Sequence, residues 1–322
     1  MSIKQSLIKL TRKPIRFLGD LISFSREIKI FDYFYSLIFM IIYQLPTSPT
    51  HFYSPLPDIR KLMKNKKRWL KEYEFFGINW NIEYQIKVND SISAFKNELI
   101  QGEPYNEVLN KGFGEGFPEI ESYYLYCFIR YLKPKKLIEV GSGMSTYYTL
   151  QACLKNKEEA GYFTDITCVE PYPRKAFFQF EKDNLIKFYH EQVQDVPLDL
   201  FKILEEGDVL FIDSSHVLKV DSDVTYLYLN VIPNLKKGVY IHIHDICFPY
   251  LTLMPNDKRF RSSLLWNETA ILAAILTGND SFEILQCQSY LHHKYPVIIK
   301  DTFDVYDNKK HHPLSIWLKK IK

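Results

Sequence analysis

The chain has 322 residues, 46% of them apolar and 25% charged, with a formal net charge of +3. That size holds one large or two modest domains, and the apolar fraction is ample for a packed core; intrinsic disorder, collagen-like repeats and low-complexity sequence are excluded. The balance of 41 basic to 38 acidic residues excludes a dedicated nucleic-acid binder. Five scattered cysteines (Cys127, Cys153, Cys168, Cys247, Cys287) form no CxxC pair, which argues against a disulfide framework or structural zinc and for a reducing cytosol.

Residues 1–45 form a first segment. Lys4, Lys9, Arg12, Lys13, Arg16, Arg26 and Lys29 face only Asp20 and Glu27, with apolar residues at roughly helical spacing. An apolar run from 30 to 45 follows, broken by Asp32, Ser36 and Gln44. It falls short of the about 20 apolar residues of a spanning helix, and no signal-peptide cleavage pattern follows it. Two readings stay open: a helical arm packing on the protein or on a second subunit of a homo-oligomer, and a basic amphipathic segment on an anionic membrane surface. The second puts a cytoplasmic protein at the inner face of the membrane. Four prolines in 46–57 mark a linker, and 58–130 reads as mostly helical, a cap on the acceptor side. Gly112, Gly114 and Gly116 break it before a helix at 119–132.

From about residue 131 short apolar runs alternate with helical stretches: 136–140, 166–170, 186–189, 208–213 and 238–244. This predicts an α/β domain over 131–322, a mostly parallel sheet with helices on both faces. Ligands of such sheets bind at the carboxyl ends of the strands, near the switch in strand order.

The first strand runs into Glu139-Val140-Gly141-Ser142-Gly143-Met144-Ser145-Thr146. Two close glycines allow a tight turn and a close backbone approach. A dinucleotide fingerprint would carry a third glycine where Thr146 stands and would lack the acid. A charged Glu139 would repel a pyrophosphate but not a cation. The loop therefore favours an amino-acid-bearing nucleoside such as S-adenosylmethionine, the alternative being a glycine-rich turn of no special meaning. Glu170, ending the second strand, suits ribose hydroxyls, or is a solvated strand-end acid; nicotinamide enzymes share this feature. The fourth strand delivers Asp213, with His216 three residues on; the fifth carries His242, His244 and Asp245. Asp213, His216, His244 and Asp245 are expected to converge at one rim, as a general base or a divalent-metal site. His242 lies deeper, as a satisfied core residue.

The words IEVGSGMST (138–146), CVEPYPR (168–174), VQDVPLDLF (193–201), LFIDSSHVLKVDSDV (210–224), VYIHIHDICFPY (239–250) and SLLWNETAIL (263–272) resemble class I S-adenosylmethionine-dependent methyltransferases, the bacterial methyltransferase family 24; HFYSPLPD (51–58) resembles its entry segment. The resemblance implies a Rossmann-like, seven-stranded sheet with a final antiparallel hairpin, here 282–290 and 315–320. It implies that Glu139, Gly141, Gly143 and Ser145, with Ser142 in the same turn, line the methionine part of the cofactor. Glu170 would hold the ribose, and Gln194 and Asp195 would flank adenine. In similar sugar O-methyltransferases an acidic trio holds magnesium. Here Asp213 and Asp245 match and His244 stands in a second acid's place, which weakens the metal and favours His216 or His244 as base. The expected reaction is methylation of a hydroxyl on a sugar, glycan or other polar small molecule; Trp266, Tyr123, Tyr124 and Phe248 form either an acceptor wall or core packing. A nucleoside-binding module without catalysis and a nicotinamide-dependent oxidoreductase are the alternatives.

Overall fold

The computed structural model describes residues 52–322, together with Phe34, Leu37, Ile38, Met40, Ile41, Ile42 and Gln44. The expectations for 1–45 otherwise lie outside the described residues. The chain divides into two compact units, Met1–Trp69 and Leu70–Lys322. Of the region read from sequence as a linker and helical cap over 46–130, the short helices Ile59–Lys64 and Lys66–Trp69 fall within the first unit, and the helices from Ile82 onward within the second, with the sheet.

Helices α1 (Ile82–Ser93) and α2 (Glu119–Leu132) precede the sheet. In α2, acids occupy the first turn and Arg130 the last, the order that suits the helix dipole. Strand β1 (Lys136–Val140) leads into α3 (Met144–Ala160), which stops at Gly161 in the left-handed region, φ +76°. Arg130, almost fully buried, meets Glu98 at 2.6 Å and pairs with Glu159 of α3, tying α2 to α3. Strands β2 (Asp165–Val169), β3 (Lys187–Tyr189), β4 (Val209–Ile212) and β5 (Tyr240–Ile243) follow. Then come α4 (Glu268–Leu276), β6 (Phe282–Cys287), α5 (Gln288–Lys294) and β7 (Ile316–Lys320).

The seven strands lie in the order β3-β2-β1-β4-β5-β7-β6. The pairs among β1–β5 are parallel, and β7 is antiparallel to both neighbours. This is the Rossmann-like arrangement expected from sequence. Parallel strands covered on both faces must be apolar on both, and β4 is fully buried along its length. Alternation divides it: Val209 and Phe211 join the layer with α2 and α3, while Leu210 and Ile212 join the layer with α4.

The last two strands pair as expected but not as a hairpin, since residues 288–315 with two helices separate them. Strand β6 ends at Cys287 rather than 290 for a local reason. Its partner begins at Ile316, opposite Cys287, so the next residues have no ladder to join and wind into α5.

Candidate active site

The order of strands reverses between β1 and β4, and a cleft of about 520 Å³ opens there, at the carboxyl ends of β1, β2 and β4. That volume lies in the range of small-molecule sites. Of the residues expected to bind cofactor, Gly141, Glu170 and Gln194 line it, together with Asp213, Ser214 and Tyr172.

The turn after β1 is held at both sides. The Gly141 amide donates to the Val169 carbonyl, and the Asp213 amide to the Val140 carbonyl, both at 3.0 Å. Gly141 has φ +101°, and a Cβ there would stand 2.5 Å from the Asp213 carbonyl oxygen. Gly143 is different. Its backbone is extended, at φ −178°, and a Cβ would meet only the Phe113 carbonyl at an ordinary 3.6 Å. Its amide donates to Thr146 Oγ1 at 2.9 Å, which opens α3.

Glu139 is buried beneath this turn rather than along the cleft. It accepts from Ser145 Oγ at 2.5 Å and lies 3.6 Å from Cys168 Sγ. Burial lifts its carboxyl to about 8, against the hydrogen bonds of Ser145 and Thr146. At pH 7 the ligand-free residue is therefore mostly protonated, and the charge read into it from sequence is not what meets a ligand. The acids that line the cleft are Glu170, Asp213, Asp221 and Asp223. A raised folded-state carboxyl pKa costs stability as pH climbs. Below the unfolded value near 4.5 both states carry the proton; between there and about 8 only the folded state does. Stability should fall by about 1.4 kcal/mol per pH unit over that window. Urea unfolding at pH 5 and pH 8 checks this: the wild type should lose a few kcal/mol more than Glu139→Gln.

Glu170 accepts from the Tyr172 amide at 2.8 Å, which fixes one carboxylate oxygen. Ser145 belongs to the Glu139 pair, and Asp195 is exposed outside the cleft lining. The hydroxyls of Ser142, in the turn, and Ser214, in the cleft, are buried without a partner. Orphaned hydroxyls beside a cleft of this size are the groups a polar ligand would satisfy, so the residues fit a bound nucleoside.

Beyond Asp213 the four rim residues meet, as expected. His216 Nε2 stands 3.5 Å from Asp213 Oδ1 and 3.4 Å from Asp245 Oδ2, and its Nδ1 is 2.7 Å from Glu268 Oε2. Its carbonyl accepts from the Asn267 amide at the start of α4. His244 lies 3.2 Å from both Asp213 Oδ1 and Glu121 Oε1. Burial opposes a charge on His216, but Glu268, Asp245 and Asp213 outweigh it and lift the imidazole to about 8. Burial likewise opposes a charge on His244, and Asp245, Asp213 and Glu121 hold it well above the ordinary range. Asp213 is held ionised below the usual range, since His244 and His216 overcome the cost of burial. His216 and Asp245 both have left-handed backbones, φ +62° and +55°; such strain outside glycine concentrates at functional sites.

Arg259 Nη1 lies 3.0 Å from Asp245 Oδ1, and its Nε 3.3 Å from Asp257. Asp213 and Asp245 were read as metal ligands. Asp245 is taken by a guanidinium and an imidazole and Asp213 by two imidazoles, so these residues do not fit a divalent ion. Among the described residues no group of three or more histidines, cysteines and acids is arranged to hold a metal.

Sequence reasoning missed Glu121, Glu268, Arg259 and Asp257. A carboxylate inside an apolar helix was the available signal for Glu121; Arg259 had none. His242 is buried as expected but not satisfied. Neither ring nitrogen has a partner, and burial keeps it neutral between Phe211 and Trp317. Of these four aromatic residues, the Trp266 ring packs 4.8 Å from that of His216 at a tilt of 53°, whereas Tyr124 and Phe248 are fully buried core, and Tyr123 packs against the layer that holds Tyr124.

Residues 138–246, from within β1 through β5, match the family model of a methyltransferase domain. An uncharacterised protein of Archaeoglobus fulgidus is 28% identical over 172 residues, spanning 49% of this chain and 74% of that one. Similar solved structures include the SAH-bound methyltransferase PaMTH1 of Podospora anserina (15% identity, TM-score 0.43, 72% of this chain and 88% of that one). Another is an O-methyltransferase of Bacillus cereus in complex with SAH (12% identity, TM-score 0.41, 73% and 99%). A third is the O-methyltransferase TomG of Streptomyces achromogenes in complex with SAM (9% identity, TM-score 0.40, 76% and 92%).

Proposed function

We propose that the chain is an S-adenosylmethionine-dependent methyltransferase acting on a hydroxyl of a polar small molecule, a sugar or glycan. The observation that supports this reading is the cleft between β1 and β4, inside the methyltransferase match, lined by Glu170 and Asp213, with His216 Nε2 3.5 Å from Asp213 Oδ1. Gly141, Glu170, Gln194 and the orphaned hydroxyls of Ser142 and Ser214 would hold the nucleoside. When bound, it supplies an activated methyl group on a cationic sulfur.

A hydroxyl is a weak nucleophile at neutral pH, so a base beside it matters. His216 is that base in this reading. Glu268 holds Nδ1, which leaves Nε2 to take the acceptor's proton, and Asp213 and Asp245 then stabilise the imidazolium. An imidazole near 8 is suited to this task close to neutral pH. The charged rim favours a polar acceptor over an apolar one. Labelled methyl transfer from S-adenosylmethionine to a panel of sugars, nucleotide sugars and glycan fragments tests the acceptor class. Labelled product is expected; binding without any transfer would leave a catalytically silent module.

The cytoplasmic face of a membrane is the proposed location. The cations of residues 1–30 support it, as do the exposed side chains of Phe34, Leu37, Ile38 and Ile41. Among the described residues no helix is long and apolar enough to cross a membrane. The full-length protein should sediment with vesicles containing phosphatidylserine at low salt and be released at high salt. Equal binding to phosphatidylcholine vesicles, or none to either, contradicts this.

A further inference from the structure

We propose that the imidazole of His216 and the guanidinium of Arg259 occupy the places a divalent metal would need between Asp213 and Asp245, so that the site has no seat for a metal ion. The proposal rests on the methyltransferase reading for its chemistry but on geometry alone for its content.

A hard divalent ion binds carboxylate oxygens at about 2.0–2.6 Å and needs those oxygens free to turn towards it. Here they are turned elsewhere. His216 Nε2 stands at the bridging point, 3.5 Å from Asp213 Oδ1 and 3.4 Å from Asp245 Oδ2. Arg259 Nη1 covers the other side of Asp245, 3.0 Å from Oδ1 and 3.4 Å from Oδ2. His244 takes the remaining flank, 3.2 Å from Asp213 and 3.8 Å from Asp245.

Each of the two side chains is seated by an acid of its own. Glu268, on the first turn of α4 and almost fully buried, holds His216 Nδ1 at 2.7 Å. Asp257 holds Arg259 through Nε and Nη2, both at 3.3 Å, and also accepts from the Arg259 amide at 2.7 Å. Neither acid faces the Asp213–Asp245 pair as a ligand would. They aim nitrogen at it. Glu268 and Asp257 are thus positioning residues, and a metal entering the pair would have to displace two anchored side chains.

Manganese(II) is the probe, because it takes the same oxygen ligands as magnesium and its free form gives an electron paramagnetic resonance signal that fades on binding. The full-length wild type, with and without SAH, is expected to leave that signal at its protein-free height. The double variant Arg259→Ala/His216→Ala, with both nitrogen-bearing side chains gone and the acids freed, is expected to capture one manganese per chain. Its circular dichroism and cooperative melting establish that it folds; if it does not, Arg259→Met/His216→Gln takes its place. Stoichiometric capture by the wild type would overturn the proposal, and so would a folded double variant that captures none. Failure of the wild type to bind SAH would instead sink the methyltransferase reading and leave the manganese result readable.

Discussion

Replacing Gly141 by alanine should abolish SAH binding and lower stability by about 3 kcal/mol, among the largest effects of a single methyl group. Two costs combine. The backbone sits at φ +101°, a region that side-chain-bearing residues rarely adopt, and the new Cβ would stand 2.5 Å from the Asp213 carbonyl. That carbonyl belongs to the residue that ends β4, so relief of the clash must separate the two strand ends that form the cleft. Gly143→Ala is the control. Its extended backbone and ordinary 3.6 Å contact predict a loss of about 1 kcal/mol or less. Thermal melting and calorimetry with SAH read both variants. Equal tolerance at the two positions would mean the turn is not built as described.

The second large effect is expected at His216. With an acceptor in hand, His216→Ala should lower kcat by about a hundredfold or more, the scale of general-base catalysis, while SAH affinity stays close to wild type. The wild-type rate should rise with pH and level off near 8, because below that the imidazole is protonated and cannot take a proton. Glu268→Gln supplies the sharper readout. Removing the carboxylate 2.7 Å from Nδ1 takes away the main interaction that raises His216, so the rising limb should move to lower pH. A Glu268 that served packing alone would leave the limb in place. A pH-independent rate in the wild type would remove the base from the mechanism.

Much of this site was legible because a buried parallel sheet writes itself plainly. Strands such as 209–212 are apolar on both faces, so the first polar residue after the run marks the strand tip; Glu170 and Asp213 were found that way, and Asp245 as the acid just past His244 at the end of the fifth run. Alternation also placed His242 and His244 on one face, as the structure has them. What alternation could not give was environment. Glu139 reads as a charged residue of the turn, but it lies beneath it, where burial outweighs the Ser145 hydroxyl and lifts its carboxyl to about 8. The partners of the histidines were illegible for a related reason. Glu121 comes from a helix before the sheet, and Glu268 and Arg259 from the stretch after β5; their meeting depends on packing between elements far apart in sequence. Tyr124 and Phe248 had the right chemistry for a substrate wall and proved to be core.

The central claim is that the turn at Gly141 and the acid at Glu170 together bind a sulfur nucleoside. Isothermal titration of the purified full-length chain with SAH, and in parallel with NAD, addresses it directly. The account predicts one saturable SAH site per chain, lost in Gly141→Ala and weakened in Glu170→Ala, and no heat of binding with NAD. No binding of SAH, or preferential binding of NAD, would contradict it.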